Sequence, residues 1–173
     1  GDLTIGTYDY AIFDHGGHGG HGRHGGHGGG TFCDYWEEGN PNLESLHGLE
    51  QVRSVGGTVT IVANPILDSL AGLDSLAYIG EDLSIGMEFD CLRTYEFGND
   101  SLRTLAGMDA LRTVDGDVIV IENDGLESFA GLNDLTDLAG GLRIEGNSSL
   151  LDIGGLNQVR EIGTSLEIID NRS

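Results

Sequence analysis

The chain contains no lysine and only eight arginines against 29 acidic residues, so its 173 residues carry a formal charge of −21. Nucleic-acid phosphates demand a cationic footprint, and this balance argues against a nucleic-acid partner. It argues equally against docking on an anionic membrane surface. Long apolar runs are missing too. None approaches the roughly 18 residues that span a bilayer, so no membrane insertion is expected. No initiator Met and no signal-peptide pattern stand before Gly1, so the chain reads as a mature, processed protein or as a segment of something longer. Two cysteines set no redox compartment by themselves. No clefted acid–base or nucleophile set is evident and no repeated basic residue faces an acidic pair, so no catalytic residue is assigned and no enzyme is expected.

What the chain does have is glycine, 30 residues of it, and a repeat. The pattern is plainest over Leu126 to Ser149, and its first leucine recurs as Leu43, Leu67, Leu102, Leu126 and Leu150, in steps of 24, 35, 24 and 24 residues. One copy therefore carries 11 extra residues. A fixed period of this length marks a stacked-repeat architecture. Counted from the first leucine, offsets 0, 3, 6, 9, 12, 16 and 18 are apolar in every copy. Spacing by three drifts off a helical face, and each copy holds an internal glycine (Gly48, Gly72, Gly107, Gly131, Gly155), which opposes a helix. Alternation of period two predicts one clear strand per copy: Thr58 to Val62, Asp82 to Ile85, Asp117 to Ile121, Leu142 to Glu145 and Leu166 to Ile169. Asp2 to Ile5 matches them and opens the chain.

These features predict an all-β protein: one domain over residues 1–173, folded as a single right-handed parallel β-helix of about five 24-residue coils plus an N-terminal strand. Each coil is expected to hold three short extended segments joined by three corners. One Asn per coil stands at the same corner (Asn40, Asn64, Asn99, Asn123, Asn147, Asn171), the spacing of an amide ladder that satisfies turn backbone groups along the stack. The pattern from Asn64-Pro65 through Ile85 resembles the receptor L-domain repeat of insulin- and EGF-type receptor ectodomains. Similar repeats occur in surface proteins of fungi, protists and bacteria. The resemblance covers nearly all of residues 40–171 and implies a right-handed β-helix at the cell surface. The dense disulfides and capping helix of that family are missing, so none of its ligand-binding residues is carried over.

Two insertions interrupt the period, residues 8–39 and 86–98, and both leave the repeat at the same corner. They hold Tyr8, Tyr10, Phe13, Phe32, Tyr35, Trp36, Phe89, Tyr95 and Phe97. Such a projecting aromatic patch could contact a glycan, a surface protein or another subunit, or could simply pack the insertions down. Each insertion carries one cysteine. A Cys33–Cys91 disulfide is expected, with two free thiols as the alternative. His15, His18, His21, His24 and His27 recur among glycines. One reading is a Zn, Cu or Ni site, although an extended chain sets the rings about 9 Å apart. The other is a solvated glycine-rich loop. No cofactor is required by either.

Asn99, Asn147 and Asn171 begin sequons, and glycosylation there requires the corner to face solvent. Repeated acids (Glu44, Asp68 and Glu127; Glu50, Asp74, Asp109 and Asp134) could bridge calcium or form a solvated face. Calcium-loop spacing is absent. Neither end of the repeat shows a cap, leaving Leu3 and Ile5 at one end and Leu166 and Ile168 at the other for end-to-end stacking. The expected function is therefore an extracellular, self-associating surface protein, a filament or surface-layer subunit whose partner is itself. The alternative is a protein- or glycan-binding ectodomain of a receptor or adhesin.

Overall fold

The computed structural model describes residues 1–6, 9–13, 32–36, 39–90, 94–96 and 98–171. Its strands are β1 (Leu3–Ile5), β2 (Asp9–Phe13), β3 (Phe32–Trp36), β4 (Ser54–Val55), β5 (Val59–Ile61), β6 (Tyr78–Ile79), β7 (Leu83–Ile85), β8 (Glu88–Asp90), β9 (Thr94–Glu96), β10 (Thr113–Val114), β11 (Val118–Ile121), β12 (Asp137–Leu138), β13 (Leu142–Glu145) and β14 (Leu166–Ile169). One 3-10 turn, Gly154–Leu156, is the only helical element among the described residues.

The expected single β-helix is corrected by the sheet topology. The chain forms two separate, open parallel sheets, one of six strands in the order β1-β5-β7-β11-β13-β14 and one of four in the order β12-β10-β6-β4. The third segment of each repeat is no sheet at all and contributes only isolated bridges, Thr104 to Ser128 and Ser128 to Asp152. The reason lies in the spacing by three. A strand needs period two, whereas these apolar residues close successive i to i+3 turns. The amide of Leu73 donates to the Leu70 carbonyl and that of Leu76 to Leu73, and the pattern repeats at Met108 and Leu111 and at Leu132 and Leu135. Gly72, Gly107 and Gly131 within those turns hold φ of +115°, +107° and +117°, a region that L side chains rarely enter.

Both sheets run in register, with Leu3 opposite Val59, Val59 opposite Leu83, Val118 opposite Leu142 and Leu142 opposite Leu166 in the first, and Val55 opposite Ile79 and Val114 opposite Leu138 in the second. Identical phases therefore stack on one another, and every repeat adds a layer to one shared core. In the second repeat Leu67, Leu70, Leu73, Leu76, Ile79, Leu83 and Ile85 are all fully buried. The insertions form antiparallel hairpins, β2–β3 and β8–β9. Each leaves and rejoins its repeat through a glycine laid against the next repeat. A Cβ at Gly6 would lie 1.7 Å from the Val62 carbonyl oxygen, and one at Gly39 would lie 2.0 Å from that of Ala63. Gly86 and Gly98 meet Ile121 and Glu122 in the same way.

The residue before the repeated Asn sits in the left-handed region at Ala63 (φ 55°), Glu122 (φ 56°), Gly146 (φ 65°) and Asp170 (φ 50°). That conformation costs an L residue about 1–2 kcal/mol. Ala63→Gly is therefore expected to raise the unfolding free energy by about 0.5 kcal/mol, net of the extra freedom glycine gives the unfolded chain. Gly146→Ala at the same corner should lower it by about 1 kcal/mol or more, because a Cβ there would also lie 2.1 Å from the Glu122 carboxylate and displace it. Urea titration of both variants checks the opposite signs.

Candidate functional site

Two features stand out: a buried column of asparagines and the two end faces of the stack. In the column, the side-chain amide of Asn40 donates to the Oδ1 of Asn64 at 3.0 Å, Asn64 to Asn99 at 3.0 Å, Asn99 to Asn123 at 2.9 Å, Asn123 to Asn147 at 3.3 Å and Asn147 to Asn171 at 3.0 Å. The backbone N–H groups of Asn64, Asn99, Asn123 and Asn147 donate to the same Oδ1 atoms. Since a backbone N–H can only donate, it fixes which end of each amide is oxygen. Remaining Nδ2 capacity goes to strand-end carbonyls, such as Ile85 and Ile121 for Asn123. Asn64, Asn99, Asn123 and Asn147 are fully buried, and no described buried side-chain polar atom lacks a partner. The column has a direction, donating from each repeat toward the C-terminal one.

Burial decides the sequons. The Nδ2 atoms of Asn99 and Asn147 lie inside the column, so the folded chain has no room for a glycan at either. Asn171 is half-buried and its Nδ2 donates to the Ile144 and Ile169 carbonyls.

Five of the seven repeated acidic positions are occupied locally. Glu50, Asp74 and Asp109 accept the Gly48, Gly72 and Gly107 amides, while Glu127 pairs with Arg103 and Asp134 with Arg112. No described group of three His, Cys, Asp or Glu side chains is placed to hold a metal. Beside the Asn column, the Asp100 carboxyl is pushed up from its ordinary value by partial burial and then by Asp124. A second ladder went unread in the sequence. Asp2 accepts the Thr58 amide, Asp82 the Asp117 amide and Asp117 the Gly141 amide. Its signal was an aspartate just before β1, β7 and β11. Pairing of arginine with an acid one period on, Arg103 with Glu127 and Arg143 with Glu167, was likewise readable from the 24-residue step.

His15, His18, His21, His24, His27, Tyr8, Phe97 and Cys91 lie outside the described residues, and with them the metal tract and the Cys33–Cys91 bridge. Cys33 stands opposite Ile12 in the first hairpin. Register pairs Tyr10 with Tyr35, Phe13 with Phe32, Asp9 with Trp36 and Phe89 with Tyr95.

The end faces differ. At the C-terminal face Leu166 and Ile168 are 59% and 51% exposed, whereas Leu142 and Ile144, one repeat earlier, are 3% and 0%. Ile153 is exposed beside them, and Leu151 and Ile169 of the same repeat are exposed as well. At the N-terminal face Leu3 is half-buried and Ile5 buried. There β1 overhangs a groove of about 410 Å³ lined by Leu3, Ile5, Asn40, Leu43, Leu46 and Leu49. No helix among the described residues is long and apolar enough to cross a membrane. Comparison with family models, curated proteins and solved structures gives no match.

Proposed function

We propose that the protein is a self-associating structural component of an extracellular surface, its repeats continuing from one copy into the next. The exposed apolar layer of β14, beside an edge of that strand that no other described strand covers, carries this reading. A free edge flanked by apolar side chains is a template for another chain. A second copy suits it because every interior layer already displays the required contact: parallel, in register, with the amide column donating one way. Contact between unlike faces is heterologous and grows into an open filament unless it closes as a ring. The extracellular setting is what the resemblance of the repeat to receptor L-domain repeats of cell-surface proteins implies.

Sedimentation velocity of the full chain over a concentration series tests this. Species should grow with concentration, and further as added salt screens the repulsion of the −21 charge. Ile168→Asp should remain monomeric under conditions in which the unsubstituted chain is assembled. A chain that stays monomeric at every concentration and salt level sinks the proposal.

A further inference from the structure

The two sheets do not end at the same layer. At the N-terminal end the six-stranded sheet extends through β1, which pairs with β5, while the four-stranded sheet stops one layer short at β4. At the opposite end the layers are level, because Ile162 bridges to Leu138 in the layer where β14 pairs with β13. If β14 of one copy were laid on β1 of another, the second sheet would face a gap of one strand. Ile162 and Val55 would then lie about 9–10 Å apart, beyond hydrogen bonding.

Resting on the self-association reading above, we infer that β1 and Asn40 form a displaceable plug, and that the C-terminal repeat of a second copy takes their place. In that geometry Leu166, Glu167 and Ile168 occupy the register of Leu3, Thr4 and Ile5 against Val59, Thr60 and Ile61. All sides of the layer then meet at once. Leu150, Ile153 and Leu156 cover Leu43, Leu46 and Leu49, which line the groove under β1.

Backbone groups match as well. Within the stack the Ala77 amide donates to the Arg53 carbonyl, Gly80 to Val55, and Leu151 to Glu127. The corresponding amides of the first full repeat, Arg53, Gly56 and Glu44, make no hydrogen bond among the described residues. Their acceptors by the same phase are the carbonyls of Arg160, Ile162 and Leu151, to which no described amide donates. Three free donors on one face thus meet three free acceptors on the other.

The resident plug fits less well than an interior repeat. Asn40 donates its side-chain amide to Asn64, but its backbone N–H turns away to the Ala63 carbonyl. In every interior repeat the backbone N–H also joins the column, as with Asn147 onto Asn171. Asn171 of an incoming copy can make both bonds to Asn64. Exchange of the short strand β1 for a complete repeat is strand addition at a sheet edge with side-chain register supplying specificity.

The two geometries predict opposite effects of weakening β1, which gives the test. Ile5→Asp in the full chain, followed by light scattering at fixed concentration, should speed assembly by roughly tenfold or more, since losing one buried Ile-sized side chain loosens the plug by that order. Fixing the plug should stop assembly. Thr4 and Thr60 are register neighbours, and a Thr4→Cys/Thr60→Cys pair, oxidised, should block growth until a reductant is added, with the reductant alone leaving the unsubstituted chain unchanged. Slower or abolished assembly of Ile5→Asp, or unhindered growth of the oxidised pair, overturns strand exchange while leaving self-association standing. Absence of assembly in the unsubstituted chain overturns both.

Discussion

Asn123→Ala is expected to lower the unfolding free energy by about 4 kcal/mol or more, the cost of leaving several buried polar groups unpaired at about 1–3 kcal/mol each. Asn123 is fully buried. Its Nδ2 serves the carbonyls of Ile85 and Ile121 and the Oδ1 of Asn147, and its Oδ1 accepts both the backbone N–H and the side-chain amide of Asn99. Alanine removes the hub, strips the buried Asn99 N–H of its acceptor and takes the Nδ2 donor from the Ile85 and Ile121 carbonyls. The loss propagates, because Asn99 is itself a link to Asn64. Asn40→Ala is the control: the residue is half-buried and contributes one amide bond to the column, so a loss near 1 kcal/mol is expected. Chemical denaturation of the two variants decides the matter. Equal and small losses would mean that water replaces the column and that the ladder contributes little beyond its backbone turns.

The column was visible in the sequence because an Asn at constant phase has few physical uses, and the strands were visible because period two is unambiguous over Leu142–Glu145. The architecture was misread over the leucines spaced by three. Apolar residues three apart suit short extended segments and consecutive i to i+3 turns equally well. What separates the two is backbone conformation at one residue. Gly72 at φ +115° commits its segment to turns, and a glycine letter alone does not reveal its φ. With turns in place of strands, the third side makes bridges only, and two open sheets result instead of one continuous β-helix.

The end faces were legible only in part. The sequence pattern places Leu166 and Ile168 in one exposed layer and Leu3 and Ile5 in its counterpart. That pairing ignored phase. Leu3 belongs to a layer for which the described chain supplies β1 and Asn40 but no strand of the second sheet. The step emerges only when the sheets are compared with each other, because the 56 residues from Leu3 to Val59 give the spacing and conceal which sheet the intervening residues serve. The hairpins illustrate the same limit. Their cross-strand partners required the structure, while their shared corner followed from where the period breaks.

The second large effect concerns how closely the layers approach. Gly131→Ala is expected to cost about 3–5 kcal/mol, combining backbone strain of about 1–3 kcal/mol with the cost of overfilling a packed site. At Gly131 φ is +117°, and a Cβ would lie 2.0 Å from the Leu105 carbonyl oxygen and 2.2 Å from its carbon. Those are backbone atoms of the neighbouring repeat, so relief requires the two layers to part, and the in-register bridges on either side resist that. Gly48 separates the two contributions. Its φ is +112°, nearly the same, yet nothing lies within 4 Å of the position a Cβ would take, because no described repeat lies beneath it at that face. Gly48→Ala should therefore show the backbone strain alone, about 1–3 kcal/mol. The difference between the two losses, read by urea unfolding below the concentration of self-association, measures the steric cost of one layer-to-layer contact. Equal losses would show that the layers yield freely. Under assembling conditions Gly48→Ala acquires a second penalty if another copy seats on that face, since its methyl would then meet a backbone as the one at Gly131 does.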